Sequence, residues 1–272
     1  MIGQKNNIKM INDLIANKTM PRFIIISGTR LSGKTTLAKY ITTQLNAQLI
    51  EAETGVNGIR GIISQAYKSP IPICYLIRHA DELSKSALNA LLKVTEEPPK
   101  QAYFILTTNN YSNLLDTLKS RGTTFKIEPY SNHDLWRLDK TGELREYCSS
   151  IGELKELADY ADRDGVIKLC NTVIDSISVA TMANALKIGS NIKFKETDTD
   201  KIPIPIFFTT IRSVCRCRMV QNRHDSEELY KFSKYHQIIS EYASKMQGKS
   251  IKKDALFDRF IITMWEVSYE FI

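Results

Sequence analysis

The sequence predicts an α/β protein, with a parallel sheet covered by helices on both faces and an all-helical remainder. Three observations predict it. Short β-branched runs alternate with helical periodicity as far as residue 130, the pattern of strand–helix–strand units. A lysine loop bracketed by glycines, residues 28–35, joins the first such run to the helix after it. Beyond about residue 131 only helical periodicity remains.

In chain order, residues 5–17 place Ile8, Ile11, Leu14 and Ile15 at helical spacing. "RFIIIS" (22–27) is brief, β-branched and ended by glycine, as a buried strand should be. Helical periodicity returns at 34–46 through Leu37, Ala38, Ile41 and Leu45. "AQLIEAE" (47–53) reads as a strand, and 58–69 as a helix with Ile59, Ile62, Ile63 and Ala66 on one side. "ICYLI" (73–77) is another buried strand. Residues 85–97 form a helix stopped by Pro98 and Pro99. "AYFILTTNN" (102–110) and "TTFKIEP" (123–129) complete the sheet. Helices then run to about residue 188. "KETDTDKIPIP" (195–205) reads as a linker or a strained turn, and 206–272 is helical again.

Bulk properties narrow the function. The chain has 272 residues, 43% of them hydrophobic and 25% charged, as in ordinary globular proteins. Its longest apolar runs, "FIII" and "IPIPIFF", fall far short of the ~20 residues of a membrane helix. The polar start "MIGQKNNIKM" lacks the apolar core of a signal peptide, so a cytoplasmic location without membrane contact is expected. Five scattered cysteines do not suggest a disulfide framework. Cys215 and Cys217 in "CRC" have only His224 nearby, too few ligands for structural zinc. Residues 1–130 carry 16 Lys and Arg against 9 Asp and Glu, whereas 131–272 carry 21 of each. The whole positive excess therefore lies in the first half, which suits either a solvated basic surface or a face for phosphates.

"GTRLSGKT" (28–35) fits G-x-x-x-x-G-K-[ST] in its required strand-to-helix context. Gly28 and Gly33 let backbone N–H groups wrap a phosphate, and the helix start adds positive character. Lys34 would reach the β- and γ-phosphates. Thr35 would offer a hydroxyl to Mg²⁺, and Thr29 and Thr36 would flank the cradle. ATP or ADP, with Mg²⁺ where present, is the expected ligand.

With this loop upstream, "NALLKVTEEPP" (89–99) and "TLKSRG" (117–122) together resemble the clamp-loader branch of the AAA+ ATPases. The opening "IGQ" (2–4) is similar to that branch's adenine-side motif. The likeness is strong over 1–130, weaker over 131–190, where "DRDGVIKL" compares, and faint beyond 200. It implies an AAA+ P-loop domain (1–130), a small helical lid (131–192) and a helical oligomerisation collar (193–272). Arg121 matches the arginine finger that reaches a neighbouring subunit's site, a contribution of ~10³–10⁵ in rate. The family usually has cysteine after that arginine. Gly122 departs, which weakens the part of the match that rests on local packing. Asn109, or Thr108, matches the polar sensor near the γ-phosphate. Arg60 and Lys85 are candidates for contacts to DNA phosphates, which position rather than read the sequence. The basic run "RCRMVQNRH" (216–224) is either a further contact or a wet helix face.

Two departures point the same way. Hydrolysing members place two acids directly after the strand at 73–77, where this chain has Arg78 and His79. A guanidinium ~5 Å from Mg²⁺ would be repelled by about 6 kcal/mol at an effective dielectric of about 20. Arg78 must therefore turn away or replace part of the metal's charge. Asp81 and Glu82 follow too late and are expected to face elsewhere. In the lid, Asp164 stands where hydrolysing members carry an arginine, with Arg163 beside it. The resemblance is thus to the delta-prime, or stator, kind of bacterial or phage DNA polymerase III clamp-loader subunit. It implies a hetero-oligomer with other clamp-loader subunits, a sliding clamp and primer–template DNA. The zinc-binding insert of many relatives is missing between 50 and 73. Two rivals remain: an active ATPase of the same assembly, and a P-loop scaffold or signalling protein unrelated to DNA.

Overall fold

The C-terminal edge of a five-stranded parallel sheet is where the chain gathers its polar loops. The computed structural model describes residues 3–139, 142, 144–177, 179–192, 194, 202–246 and 252–270. They form two compact units. The first runs through Asp134 and takes in Ser150–Gly152; the second comprises Leu135–Ser149 and the residues from Glu153 onward.

The first unit contains α1 (Lys5–Ala16), β1 (Phe23–Ser27), α2 (Lys34–Gln44), β2 (Gln48–Glu51), α3 (Val56–Ala66), β3 (Ile73–Ile77), α4 (Lys85–Glu96), β4 (Ala102–Thr108), α5 (Asp116–Lys119) and β5 (Thr123–Lys126). The order across the sheet is β2-β3-β4-β1-β5, with every pair parallel. Strands β1 and β3 are buried at every residue, which is why they read as unbroken apolar runs. Period-two alternation divides their side chains between two cores. Phe23, Ile25, Tyr75, Phe104 and Leu106 pack with α3, α4 and α5. Ile24, Ile26, Cys74, Leu76 and Ile105 pack with α1 and α2. Ser84 caps α4 by accepting from the Ala87 N–H at 3.2 Å. Register fixes what meets at the edge: Ser27 pairs with Thr108 and Ile77 with Leu106. The residues that follow β1, β3 and β4 therefore emerge side by side. β1 and β4 are neighbours although distant in sequence, a switch point of the kind where α/β sheets bind ligands.

The second unit is helical: α6 (Asn132–Trp136, shared with the first unit), α7 (Ile151–Ala158, which also starts in the first), α8 (Arg163–Ile177), α9 (Met182–Ser190), α10 (Ile204–Gln221), α11 (Ser226–Lys245) and α12 (Lys253–Tyr269). One continuous core joins Val173 and Ile174 to Phe207, Ile211, Ile239, Phe260 and Ile261. Edge-to-face rings tie α10 to α12, with Phe207 and Phe257 centroids 5.7 Å apart. The buried Glu153 carboxylate accepts from Arg212 at 2.7 Å and from the Ser149 N–H at 2.7 Å, so its charge is paired as burial demands. The expected linker falls largely on 195–201, outside the described residues.

Gly122 is tightly packed. A Cβ there would stand 2.7 Å from Ile25 Cδ1 and 3.0 Å from Phe23 Cδ1. Two large β1 side chains fill the space, so the glycine is required by close approach. Gly61, exposed in mid-α3, has nothing within 4 Å of its would-be Cβ. Urea denaturation should therefore show Gly122→Ala losing about 1–3 kcal/mol and Gly61→Ala gaining about 0.5–1 kcal/mol. Equal effects at the two glycines would refute this packing.

Candidate nucleotide site

β1 delivers the loop to the sheet edge, and the Gly28 N–H donates to the Thr108 carbonyl at 3.2 Å. A Cβ on Gly28 would lie 2.8 Å from Ser32 Oγ and 2.9 Å from Ile127 Cβ. Leu31 (φ 58°) and Gly33 (φ 98°) are left-handed, and α2 starts directly after them. The loop thus curls back on itself with the first N–H groups of α2 unpaired within the helix. Ser32 Oγ is buried with no hydrogen-bond partner. From outside, the Tyr130 hydroxyl braces the loop by donating to the Ser32 carbonyl at 3.0 Å. Sequence reasoning gave no signal for Tyr130. A glycine-dependent curl, an orphaned hydroxyl and a helix start are a donor set that fits phosphate oxygens.

Lys34 is buried and its three donors have three oxygens: Gly28 O at 2.9 Å, Thr29 O at 2.6 Å and Asn109 Oδ1 at 2.8 Å. Burial lowers its pKa from 10.5 to about 8; the Asp81 carboxylate opposes the shift, and Arg30 and Arg78 add to it. Thr35 is half-buried at the second position of α2, while Thr29 and Thr36 are exposed. Among the described residues no group of three or more His, Cys, Asp or Glu could hold a metal by itself.

Beyond β3 the three polar residues part company. Arg78 leans toward the end of β2 and pairs with Glu51 at 3.3 Å, both half-exposed. His79 takes the left-handed conformation (φ 52°) and brings Nδ1 to 3.3 Å from Asn109 Nδ2. Asp81 does not face elsewhere, contrary to the sequence expectation. The 3₁₀ turn Ala80–Glu82 carries it back to the end of β4. There Oδ1 accepts from the Asn109 N–H at 3.2 Å and Oδ2 from the Asn110 N–H at 3.1 Å. Counting residues from the strand end missed this, because a tight turn reverses direction within three residues. Asn109 consequently touches Lys34, His79 and Asp81 at once. Thr108 is fully buried and accepts from the Asn110 N–H through its hydroxyl.

Arg121 lies on the surface in the turn between α5 and β5. It donates to Thr117 O at 3.0 Å and pairs with Glu96 of α4 at 3.2 Å. Arg60 on α3 and Lys85 at the first position of α4 are exposed. The run at 216–224 is not simply a wet face: Arg218 binds both oxygens of Asp175 at 2.9 and 3.0 Å, and Arg216 donates to Glu146 O. Cys215 is buried, whereas the half-buried Cys217 thiol donates to Glu146 O at 2.9 Å. Asp164 is exposed at the start of α8, its carboxylate 3.7 Å from Arg163 Nε.

Residues 50–131 match the family model "DNA polymerase III, delta subunit". The chain is 29% identical over 238 residues to the DNA polymerase III subunit gamma of Buchnera aphidicola subsp. Schizaphis graminum, covering 75% of this chain and 62% of that protein. It is 26% identical over 223 residues to the Bacillus subtilis DNA polymerase III subunit tau, covering 69% and 40%. A 55-residue stretch, 20% of this chain and 17% of the relative, is 44% identical to the Bacillus subtilis DNA polymerase III subunit delta′. The chain therefore spans less than two thirds of these relatives' lengths. Among solved structures, a DNA polymerase III gamma subunit-related protein from Thermotoga maritima superposes with a TM-score of 0.50 at 16% identity. The match covers 95% of this chain and 99% of that one. The shared fold is α/β, with the five-stranded parallel sheet flanked by helices.

The Lys34 shift has a testable sign. Between its folded pKa of about 8 and the ordinary 10.5, the unfolded chain binds a proton that the folded chain has lost. Stability relative to Lys34→Met should thus rise with pH across that window and stay level below it. Paired urea titrations from about pH 7 upward measure the difference. A flat or falling trend would contradict the burial described.

Proposed function

We propose that the chain is a clamp-loader subunit of DNA replication and, more narrowly, a stator of the delta-prime kind. In this reading it holds ATP or ADP weakly or statically. It lends Arg121 to the ATPase site of an adjacent subunit while the assembly places a sliding clamp on primer–template DNA. The observation that carries the reading is the state of the acids at the sheet edge. Arg78 and His79 stand where hydrolysing relatives have carboxylates, and both oxygens of Asp81 are committed to backbone N–H groups. A carboxylate in that condition is a poor base for water.

The parts divide as follows. Backbone N–H groups of 28–35 and Lys34 hold the polyphosphate, and Thr35 meets Mg²⁺ where present. Asn109 senses the γ-phosphate end. Arg121, exposed and held by a screened surface pair that is easily exchanged, is available to a neighbour. Lys85 puts a cation at the positive end of a helix dipole, a place that stability disfavours. With Arg60 it supports a phosphate-facing surface whose DNA binding would weaken steeply with salt. Residues 131–192 act as lid and 193–272 as collar, in the cytoplasm.

A second reading, an active ATPase of the same assembly, is favoured by the length of the gamma and tau alignments and by the Asp81 charge acting on Lys34. Reconstitution with candidate partner subunits separates them. The stator reading expects negligible ATP turnover alone and stimulation of a partner ATPase that Arg121→Ala reduces by about 10³-fold. Turnover by the isolated chain that Lys34→Ala abolishes would favour the active ATPase. Failure to enter any hetero-oligomer or to bind primer–template DNA would favour an unrelated scaffold.

A further inference from the structure

Asn109 is the junction of the sheet edge, and its amide has two ends that must face different partners. Oδ1 accepts from Lys34 at 2.8 Å, and Nδ2 lies 3.3 Å from His79 Nδ1. The backbone beneath it is pinned by Asp81. A planar amide can be reversed by half a turn. Reversal would set Nδ2 against the Lys34 ammonium, two donors together, and Oδ1 against a ring nitrogen that also carries a lone pair. An acceptor at position 79 reinforces the orientation that the Lys34 ammonium favours, by giving the amide's other end a partner as well.

His79 is built for this contact at a backbone cost. It is one of five described non-glycine residues with positive φ, a conformation uncommon outside glycine, though asparagine, aspartate and histidine adopt it more readily than other residues. Its other neighbour, Glu82 Oε1, is 3.6 Å from the same Nδ1, beyond good hydrogen-bond length.

We propose that His79 is a positioning residue: its Nδ1, acting as acceptor, holds the Asn109 amide so that Oδ1 faces Lys34 and the second Nδ2–H remains for a phosphate oxygen. The residue that displaces the expected acid thus sets how firmly the P-loop grips a nucleoside polyphosphate. This rests on reading the P-loop as a nucleotide site.

Asparagine at 79 would put an amide oxygen at the place of Nδ1 and tolerates the left-handed backbone. Leucine has similar bulk and no acceptor. Calorimetric titration of the full chain with Mg–ATP should show His79→Leu binding about three- to tenfold more weakly, the worth of one hydrogen bond. His79→Asn should stay within about twofold of wild type, and in an Asn109→Ala background His79→Leu should add less than about twofold. The Asn109 side-chain amide resonance, read without nucleotide, should move in His79→Leu and hold in His79→Asn. Undiminished affinity in His79→Leu would overturn the inference. So would Asn and Leu variants that are equally weak, or an undiminished His79→Leu effect without Asn109. Wild type that does not bind ATP, or Lys34→Ala that binds as wild type does, would instead overturn the nucleotide reading, and this inference with it.

Discussion

An ammonium group closed in by three oxygens is the constraint around which the first unit is arranged. Lys34 has three donors, and the loop carbonyls of Gly28 and Thr29 with the Asn109 amide satisfy all three. A buried cation is tolerable only when so surrounded. The loop carbonyls require the left-handed turn at Gly33. The amide requires β1 and β4 to be neighbours in one register, since Ser27 opposite Thr108 brings Gly28 level with Asn109. The two cores on either face of the sheet hold that register, because a one-residue slip would exchange the Ile24/Ile26 and Phe23/Ile25 faces.

Under the proposed function, the same edge would keep its grip on nucleotide without a cutting tool. Binding a polyphosphate calls for N–H groups, a cation and a curled backbone, and all three are in place. Hydrolysis also needs a water polarised by a base and a metal held in line. At the end of β3 those roles fall to a guanidinium that pairs outward with Glu51, an imidazole turned to an amide, and a carboxylate that anchors backbone. In the proposed reading Lys34 and Asn109 are parts of a fixed scaffold, and Arg121 at the surface carries the functional burden. The tight fit of Gly122 under β1 holds that arginine's turn against the sheet, which gives its guanidinium a defined origin.

Much of the architecture was legible in the sequence. Strands buried on both faces, such as "FIIIS" and "ICYLI", announce themselves by composition, and the helices between them by periodicity. The lysine loop was legible because its spacing is a direct statement of backbone geometry. What stayed hidden depends on the path of the chain through space. Asp81 lies four residues past the end of its strand, and only the 3₁₀ turn shows that it doubles back. Gly122 reads as a loss of side chain until Ile25 and Phe23 are seen in its place. Arg216 and Arg218 look like a solvent-facing basic run until Glu146 and Asp175 appear opposite them. Tyr130 bracing Ser32 spans 98 positions, a distance at which local pattern carries no information.

The central claim is that nucleotide is held here and left uncut. The most direct measurement loads the purified chain, without partners, with a substoichiometric amount of ATP labelled at the γ-phosphate and follows the label over hours. The account predicts that the label stays in protein-bound ATP and leaves only as intact nucleotide when chased. Release of labelled inorganic phosphate from the wild-type chain, absent in Lys34→Ala, would contradict it.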